Sequence, residues 1–276
     1  MQKVVNGDYH KFQKLFQNIS WELSGLAVTA KINPGSIWTN DVNNPTSAFM
    51  ASPEGYLIAG DPKNLDFNKK LKIWFEHKFL PWGLNENYNT FEIYFNPGWK
   101  EVALEIFHAR KLISYQRRHY IINKSDWQPQ PTDLSINMKL TKINSAFVED
   151  NLNFRNMLHL KKWIYNNWGS YENFDNKGFA FAIIHKDIVV SWSVADCCYR
   201  DKCEIGIHTD LKFTRKNMAH SVVQAMLKYA FTNSFTQIGW HCVESNIASC
   251  KTAQKSKFHL ERKYTANYGF FNPLNH

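Results

Sequence analysis

The chain has 276 residues, 44% apolar and 15% aromatic, enough for one large packed domain or two medium ones, which excludes long disorder. A formal charge of +9, from 33 Lys and Arg against 24 Asp and Glu, agrees with a polyphosphate ligand without identifying one, and no nucleic-acid-binding motif accompanies it. Five cysteines without a CxxC pair exclude a disulfide framework, and no His/Cys spacing suits a structural metal.

No window approaches the roughly 18 consecutive apolar residues of a membrane span, and the N-terminal sequence lacks the apolar run of a signal peptide. The cytoplasm is the expected location. Residues 8–18 predict a helix opening on Asp8, with Phe12, Leu15 and Phe16 apolar. Residues 25–30 and 36–39 predict short strands about the turn Asn33-Pro34-Gly35, and 47–51 and 56–59 predict two more. Residues 65–80 predict a helix, 90–95 a strand and 99–107 a helix. Pro129 and Pro131 resist both helix and central strand, so residues 127–133 read as a linker. It separates an N-terminal α/β domain, residues 1–130, from a C-terminal domain, residues 131–276.

Beyond the linker, residues 146–167 predict a helix with Leu152, Met157, Leu160 and Ile164 near helical spacing. Residues 178–185 and 188–196 predict strands joined by a turn at Lys186-Asp187, followed by a strand at 203–209. A long helix follows at 217–232, with Met218, Val222, Met226 and Tyr229 on one stripe. A strand at 238–243 and a helix at 248–255 come last.

The informative segment runs from Glu204 to Ala219: a strand, a basic turn, and the first turn of the long helix. Free amides at a helix start, together with the helix dipole, make an anion site, and Arg215 and Lys216 add two cations. An ordinary strand–helix connection with solvated basic side chains has the same local sequence. Local physics leaves both readings open.

The order of motifs resembles the GNAT acyltransferase superfamily. Its phosphate-loop pattern, Gln/Arg-x-x-Gly-x-Gly/Ala, falls on Thr214-Arg215-Lys216-Asn217-Met218-Ala219. Downstream, Asn246-Ile247-Ala248-Ser249 and Lys255-Ser256-Lys257-Phe258 resemble the family's Asn-x-x-Ser/Ala and Lys-x-Gly-Phe ending. Trp38-Thr39-Asn40-Asp41, Gly60, the stretch from Trp168 to Phe174, and Lys177-Gly178-Phe179 resemble a two-domain bacterial subgroup. The resemblance implies an α/β (α+β) GNAT fold, a mixed central sheet flanked by helices, preceded by a smaller GNAT-like N-terminal domain on the acceptor side. It implies an N-acyltransferase moving an acetyl or other acyl group from acyl-CoA to a primary amine of a small molecule. The alternative is a catalytically degenerate acyl-CoA-binding regulatory protein. Acetyl-CoA would be the co-substrate, with no metal, no membrane and no nucleic acid; the oligomeric state is not read.

The resemblance carries CoA contacts onto Ile207, Thr209, Thr214, Arg215, Lys216, Asn217, Met218, Ala219, Asn246 and Ser249. Asn246 could equally cap the helix after it. Glu204 falls near the family's general-base position. Strand alternation puts Glu204, Gly206 and His208 on one face, which makes His208 a second base candidate. Either could instead be a half-buried residue with a local partner. The pattern departs at Thr214, at Asn217 and Lys257 where glycines are usual, and at Ala253 where many relatives carry a tyrosine acid. Asn tolerates a left-handed backbone, so the turn survives the second change. Tyr264, Tyr268, His241 and Cys242 are the candidates to replace the acid, and a thiolate can also leave unprotonated. Cys242 and Cys250 read as buried core cysteines rather than nucleophiles.

Overall fold

The computed structural model describes residues 1–273 apart from Asn6, Ser20 and Asp133. The linker reading at Asp133 and the end of the expected second domain, 274–276, lie outside the described residues. The chain begins with strand β1 (Gln2–Lys3), helices α1 (Gln13–Phe16) and α2 (Leu23–Thr29), and strands β2 (Ser36–Thr39), β3 (Ser47–Ser52) and β4 (Gly55–Gly60). Helices α3 (Leu65–Trp74) and α4 (Leu80–Asn85), strand β5 (Thr90–Tyr94), helix α5 (Lys100–Ile106) and the long strand β6 (Ile113–Asn123) follow. Next come β7 (Lys139–Ile143), α6 (Ser145–Asp150), α7 (Met157–Trp168), α8 (Tyr171–Lys177), β8 (Ala180–His185) and β9 (Ile188–Tyr199). The last elements are β10 (Lys202–Thr209), α9 (Met218–Thr232), β11 (Gln237–Val243), α10 (Ile247–Lys255) and β12 (His259–Phe270). Among the described residues no helix is long and apolar enough to cross a membrane.

Packing divides the chain into two units, one of residues 1–116 with those from 265 onward, the other of residues 117–264. This boundary differs from the expected 130/131, and strand pairing explains why. Residues 117–123 of β6 pair antiparallel with all of β11, from Arg117↔Val243 to Asn123↔Gln237, which holds them in the second unit. Residues 267–270 pair with β5, from Asn267↔Ile93 to Phe270↔Thr90, which holds the tail in the first. Each unit is finished by a strand from the far side of the linker.

In the first unit β1 to β4 form an antiparallel run, and α3 and α4 carry the chain over to β5, which lies parallel to β4. Its core is aromatic, built around Phe49, Phe67, Phe75, Phe79, Phe91 and Trp99. Residues 25–29 of the expected strand 25–30 are helical in α2, and Ala30 is its C-cap. All seven residues of α2 are buried, Ser24 and Thr29 included, so no exposed polar face marks its period. The helix expected over 8–18 is interrupted by 3-10 turns on either side of α1.

The second unit repeats this order. Strands β7 to β10 are antiparallel, and α9 crosses from β10 to a parallel β11. Met218 and Val222 of α9 pack on Ile183 and Val190 of the sheet. The Trp168 indole at the end of α7 donates to the Ala195 carbonyl of β9, 2.8 Å away. The helix expected over 146–167 is two, α6 and α7, broken before a left-handed Asn156 at φ 70°.

Candidate active site

The parallel ladder of the second unit is short. Lys202↔Gln237, Cys203↔Ile238 and Glu204↔Gly239 pair, and there it ends. Beyond that point β10 continues to Thr209 paired only with β9, while β11 continues to Val243 paired only with β6. A bulge marks the place: Glu204↔Cys197 is followed by Ile205↔Ala195, leaving Asp196 of β9 as the extra residue. Bulges bend and twist a strand. Asp196 is held there by the Trp163 indole at 2.7 Å and the Asn167 amide at 2.8 Å. The strands part, and a cavity of about 780 Å³ opens between β10, β11, α9 and α10.

The turn entering α9 faces this cavity. Arg215 and Asn217 both have φ 61°, the left-handed region in which glycine is usual, and Asn217 forms the N-cap without a side-chain bond to the helix. The Asn217 carboxamide oxygen instead accepts from Lys255 Nζ at 2.6 Å. The opening amides of α9 are therefore left without a side-chain cap. Thr214, Arg215, Asn217, Met218 and Ala219 line the cavity, as do Ile207 and Thr209 of β10 and Asn246 and Ser249 at the start of α10. Lys216 is not in this lining: its ammonium lies 5.2 Å over the Phe213 ring, a cation–π distance. Asn246 caps α10 by accepting from the Ser249 amide at 3.1 Å. Trp240, both core residue and wall, donates its indole N–H to Ser249 Oγ at 3.1 Å. Arg215, Lys251 and Lys255 supply positive charge, and the lining holds no Asp or Glu. Such a wall selects an anion.

The first unit has the same crossover, but there the helix start is capped. Asn64 caps α3 by accepting from the Phe67 amide at 3.1 Å, and Asp66 puts a negative charge in the first helical turn. The Asp61 carboxylate takes the Lys63 amide at 2.9 Å, and the Gly60 carbonyl is bonded by the Trp99 indole at 3.2 Å. The start of α3 is thus closed by its own side chains, with a negative charge beside it.

At the apex of the gap lies Glu204, 8% exposed. Its carboxylate sits over Gly239, where an added Cβ would come within 2.2 Å of both oxygens, so only glycine leaves room for it. His119 Nε2 lies 3.1 Å from Glu204 Oε1, and His119 Nδ1 lies 2.8 Å from Glu261 Oε2. His241 Nε2 is 3.6 Å from Glu204 Oε2, and the Tyr264 hydroxyl is 2.9 Å from His241 Nδ1. The two imidazoles stack with centroids 4.1 Å apart and planes 9° apart. Burial pulls the His119 pKa down, but the Glu204 and Glu261 carboxylates outweigh it and hold the ring above the ordinary imidazole value. Donors from His119, Glu204 and His241 lie within 4.8 Å of one another. Parallel stacked rings, however, share no point in both ring planes, so one cation cannot take both nitrogens along their lone pairs.

His208, on the same face of β10, has different neighbours. It stacks on Trp192 at 4.3 Å and meets His159 edge-on at 4.9 Å. Burial, then the His159 charge, lowers its pKa, with Asp210 opposing. Cys242 and Cys250 are buried with their sulfurs 3.5 Å apart, and burial, reinforced by Cys250, pushes the Cys242 thiol up to about 12. That suits core packing and not nucleophilic attack. Tyr268 packs on Tyr115 in the first unit, and Ala253 is fully buried. Sequence reading missed His119 and Glu261, because neither β6 nor β12 was among the expected strands; the β-branched and aromatic run of residues 113–122 was the available signal.

A parallel strand pair parted at a bulge, with an uncapped helix start facing the gap, defines an α/β protein of the GNAT class. The GNAT acetyltransferase family model matches residues 13–267, and the chain belongs to that family. It is 22% identical over 272 residues to a Bacillus subtilis (strain 168) protein named uncharacterized N-acetyltransferase YdfB, covering 97% of this chain and 98% of that one. A GCN5-related N-acetyltransferase-like protein from Streptococcus suis 89/1591 shares the fold with a TM-score of 0.65 at 17% identity, covering 95% of this chain and 98% of that one. A tandem GNAT protein from the clavulanic acid biosynthesis pathway superposes with a TM-score of 0.55 at 7% identity, covering 88% and 85%.

Proposed function

We propose that this acetyltransferase-family protein moves an acetyl or other acyl group from acyl-CoA to the primary amine of a small molecule, using the cavity of the second unit. The observation that carries this reading is the open start of α9, set among Arg215, Lys251 and Lys255 with no acidic side chain in the wall. A diphosphate satisfies those amides and the dipole at once. The backbone of β10 past Glu204, unpaired on its β11 side, offers donors and acceptors to the amide groups of a pantetheine arm. An arm lying there brings its thioester toward Glu204. Glu204 Oε2, which accepts no hydrogen bond, takes the proton from the acceptor's ammonium, directly or through one water, and the freed amine attacks the thioester carbonyl. Tyr264, bonded to His241 beside this carboxylate, takes the acid role that Ala253 lacks and protonates the CoA thiolate expelled as the C–S bond breaks.

Thermal shift with acetyl-CoA, followed by release of free CoA thiol over a panel of primary amines, tests the reading. Ligand at a hundred times its Kd stabilises the native state by about 2.7 kcal/mol. Glu204→Gln should leave that stabilisation in place and lower kcat by about 10²- to 10⁴-fold, the span of a general base. No stabilisation by acetyl-CoA overturns the proposal. The Lys255 bond to Asn217, where a glycine is usual, favours the regulatory alternative. Stabilisation without thiol release from any amine would select it.

A further inference from the structure

His119 is flanked by two carboxylates, Glu204 Oε1 at Nε2 and Glu261 Oε2 at Nδ1. An ionised carboxylate only accepts, and a neutral imidazole donates from one nitrogen. With both carboxylates ionised, only the imidazolium, with an N–H at each end, satisfies both bonds. His119 is 5% exposed, so water is a poor substitute for either partner. Its rings and partners come from four strands: His119 from β6, Glu204 from β10, the stacked His241 from β11, and Glu261 from β12. Arg262 braces the outer carboxylate, its Nε 3.2 Å from Glu261 Oε2. The neighbouring Arg118 is turned to Glu244 at 2.8 Å and adds nothing to this chain of contacts.

We propose that His119, working as an imidazolium anchored by Glu261, is the positioning residue for the Glu204 base, pinning Oε1 so that Oε2, which accepts no hydrogen bond, is left to take the acceptor's proton. This rests on the transferase reading above and adds to it a requirement of its own. Base catalysis of amine acylation falls off on the acid side, where the base is protonated. A working imidazolium adds an alkaline limb, because deprotonation of His119 breaks one of its two bonds. The groups that set that limb are Glu204, Glu261, His241 and, through Glu261, Arg262. The raised pKa of His119 places the limb above the ordinary imidazole range.

The test combines an NMR titration of ¹³C-labelled histidines with kinetics on the best amine of the panel, in the full chain. The His119 ring should titrate above its ordinary range in the wild type and lower in Glu261→Gln, and the alkaline limb of kcat should move to lower pH by the same amount. His119→Gln should lose that limb and cost about tenfold or more in kcat, part of the base's contribution, with the acetyl-CoA Kd unchanged. A ring that is neutral at pH 7, a limb unmoved in Glu261→Gln, or a His119→Gln enzyme with wild-type kcat overturns the inference and leaves the transferase reading standing. If no amine turns over although the ring titrates high, the transferase reading has failed and the positioning role falls with it. Should His119→Gln not fold, the Glu261→Gln titration decides alone.

Discussion

Gly239 and Glu204 show how one residue's missing side chain makes another's chemistry possible. The Glu204 carboxylate occupies the space a Cβ at 239 would fill, at 2.2 Å from both oxygens. Gly239→Ala must displace the carboxylate, because the strand beneath it is locked by pairing on both sides. Overpacking of this kind costs about 1–3 kcal/mol. The expected result is a lower melting temperature and a loss of kcat approaching that of Glu204→Gln, with acetyl-CoA binding retained. Steady-state kinetics beside calorimetry would show it, and full activity in Gly239→Ala would mean that the carboxylate works from another position. His119 adds a pH dependence whose sign can be worked out. Its native pKa is raised above the ordinary imidazole value by the flanking carboxylates, so the folded chain holds that proton more tightly than the unfolded chain does. The resulting stability is complete below the unfolded value and is lost as pH rises through the native one. The stability gap between wild type and His119→Gln, measured by urea denaturation, should therefore narrow toward alkaline pH.

At the scale of elements, the turn into α9 joins sequence, backbone and ligand. Asn217 sits at φ 61° in a place where a glycine is usual. Asn217→Gly relieves about 1 kcal/mol of left-handed strain and gives up a similar amount through the greater freedom of the unfolded chain. Stability should hardly change. The carboxamide and its tie to Lys255 are removed, however, so Lys255 becomes available to an anion and the backbone can come closer to it. Acetyl-CoA should bind several-fold more tightly by calorimetry; weaker binding would mean that the Asn217 carboxamide itself holds the ligand. This element was legible in sequence because a strand, a basic turn and a striped helix follow in unbroken order. The cluster around Glu204 was only half legible. Strand alternation puts Glu204 and His208 on one face, but alternation says nothing about which other strands lie beside them. His119 is 85 residues from Glu204 and joins it only through the β6–β11 pairing, a long-range fact that local periodicity does not carry. Residues 25–30 failed for the opposite reason, since a wholly buried helix has no polar face to betray its period.

At the scale of the whole molecule, the two halves of the sequence are not the two units of the fold. Prolines at 129 and 131 made residues 127–133 the natural place to cut, yet the second unit takes residues 117–123 from before that point and the first takes its closing strand from the far end of the chain. A fragment of residues 131–276 would expose the whole of one edge of β11, and it would lose His119, and with it the bond to Glu204 Oε1, although it keeps the cavity lining. A long, mostly buried strand with unpaired amides is a template for aggregation. The fragment beginning at 131 should therefore be recovered insoluble or molten, while the full chain shows a cooperative transition stabilised by acetyl-CoA. A fragment beginning at 113 restores the β6 ladder and should recover more soluble, CoA-responsive protein than the shorter one. If the 131–276 fragment instead folds cooperatively and binds acetyl-CoA as the full chain does, β6 is dispensable to the second unit and the pairing with β11 does not set its boundary.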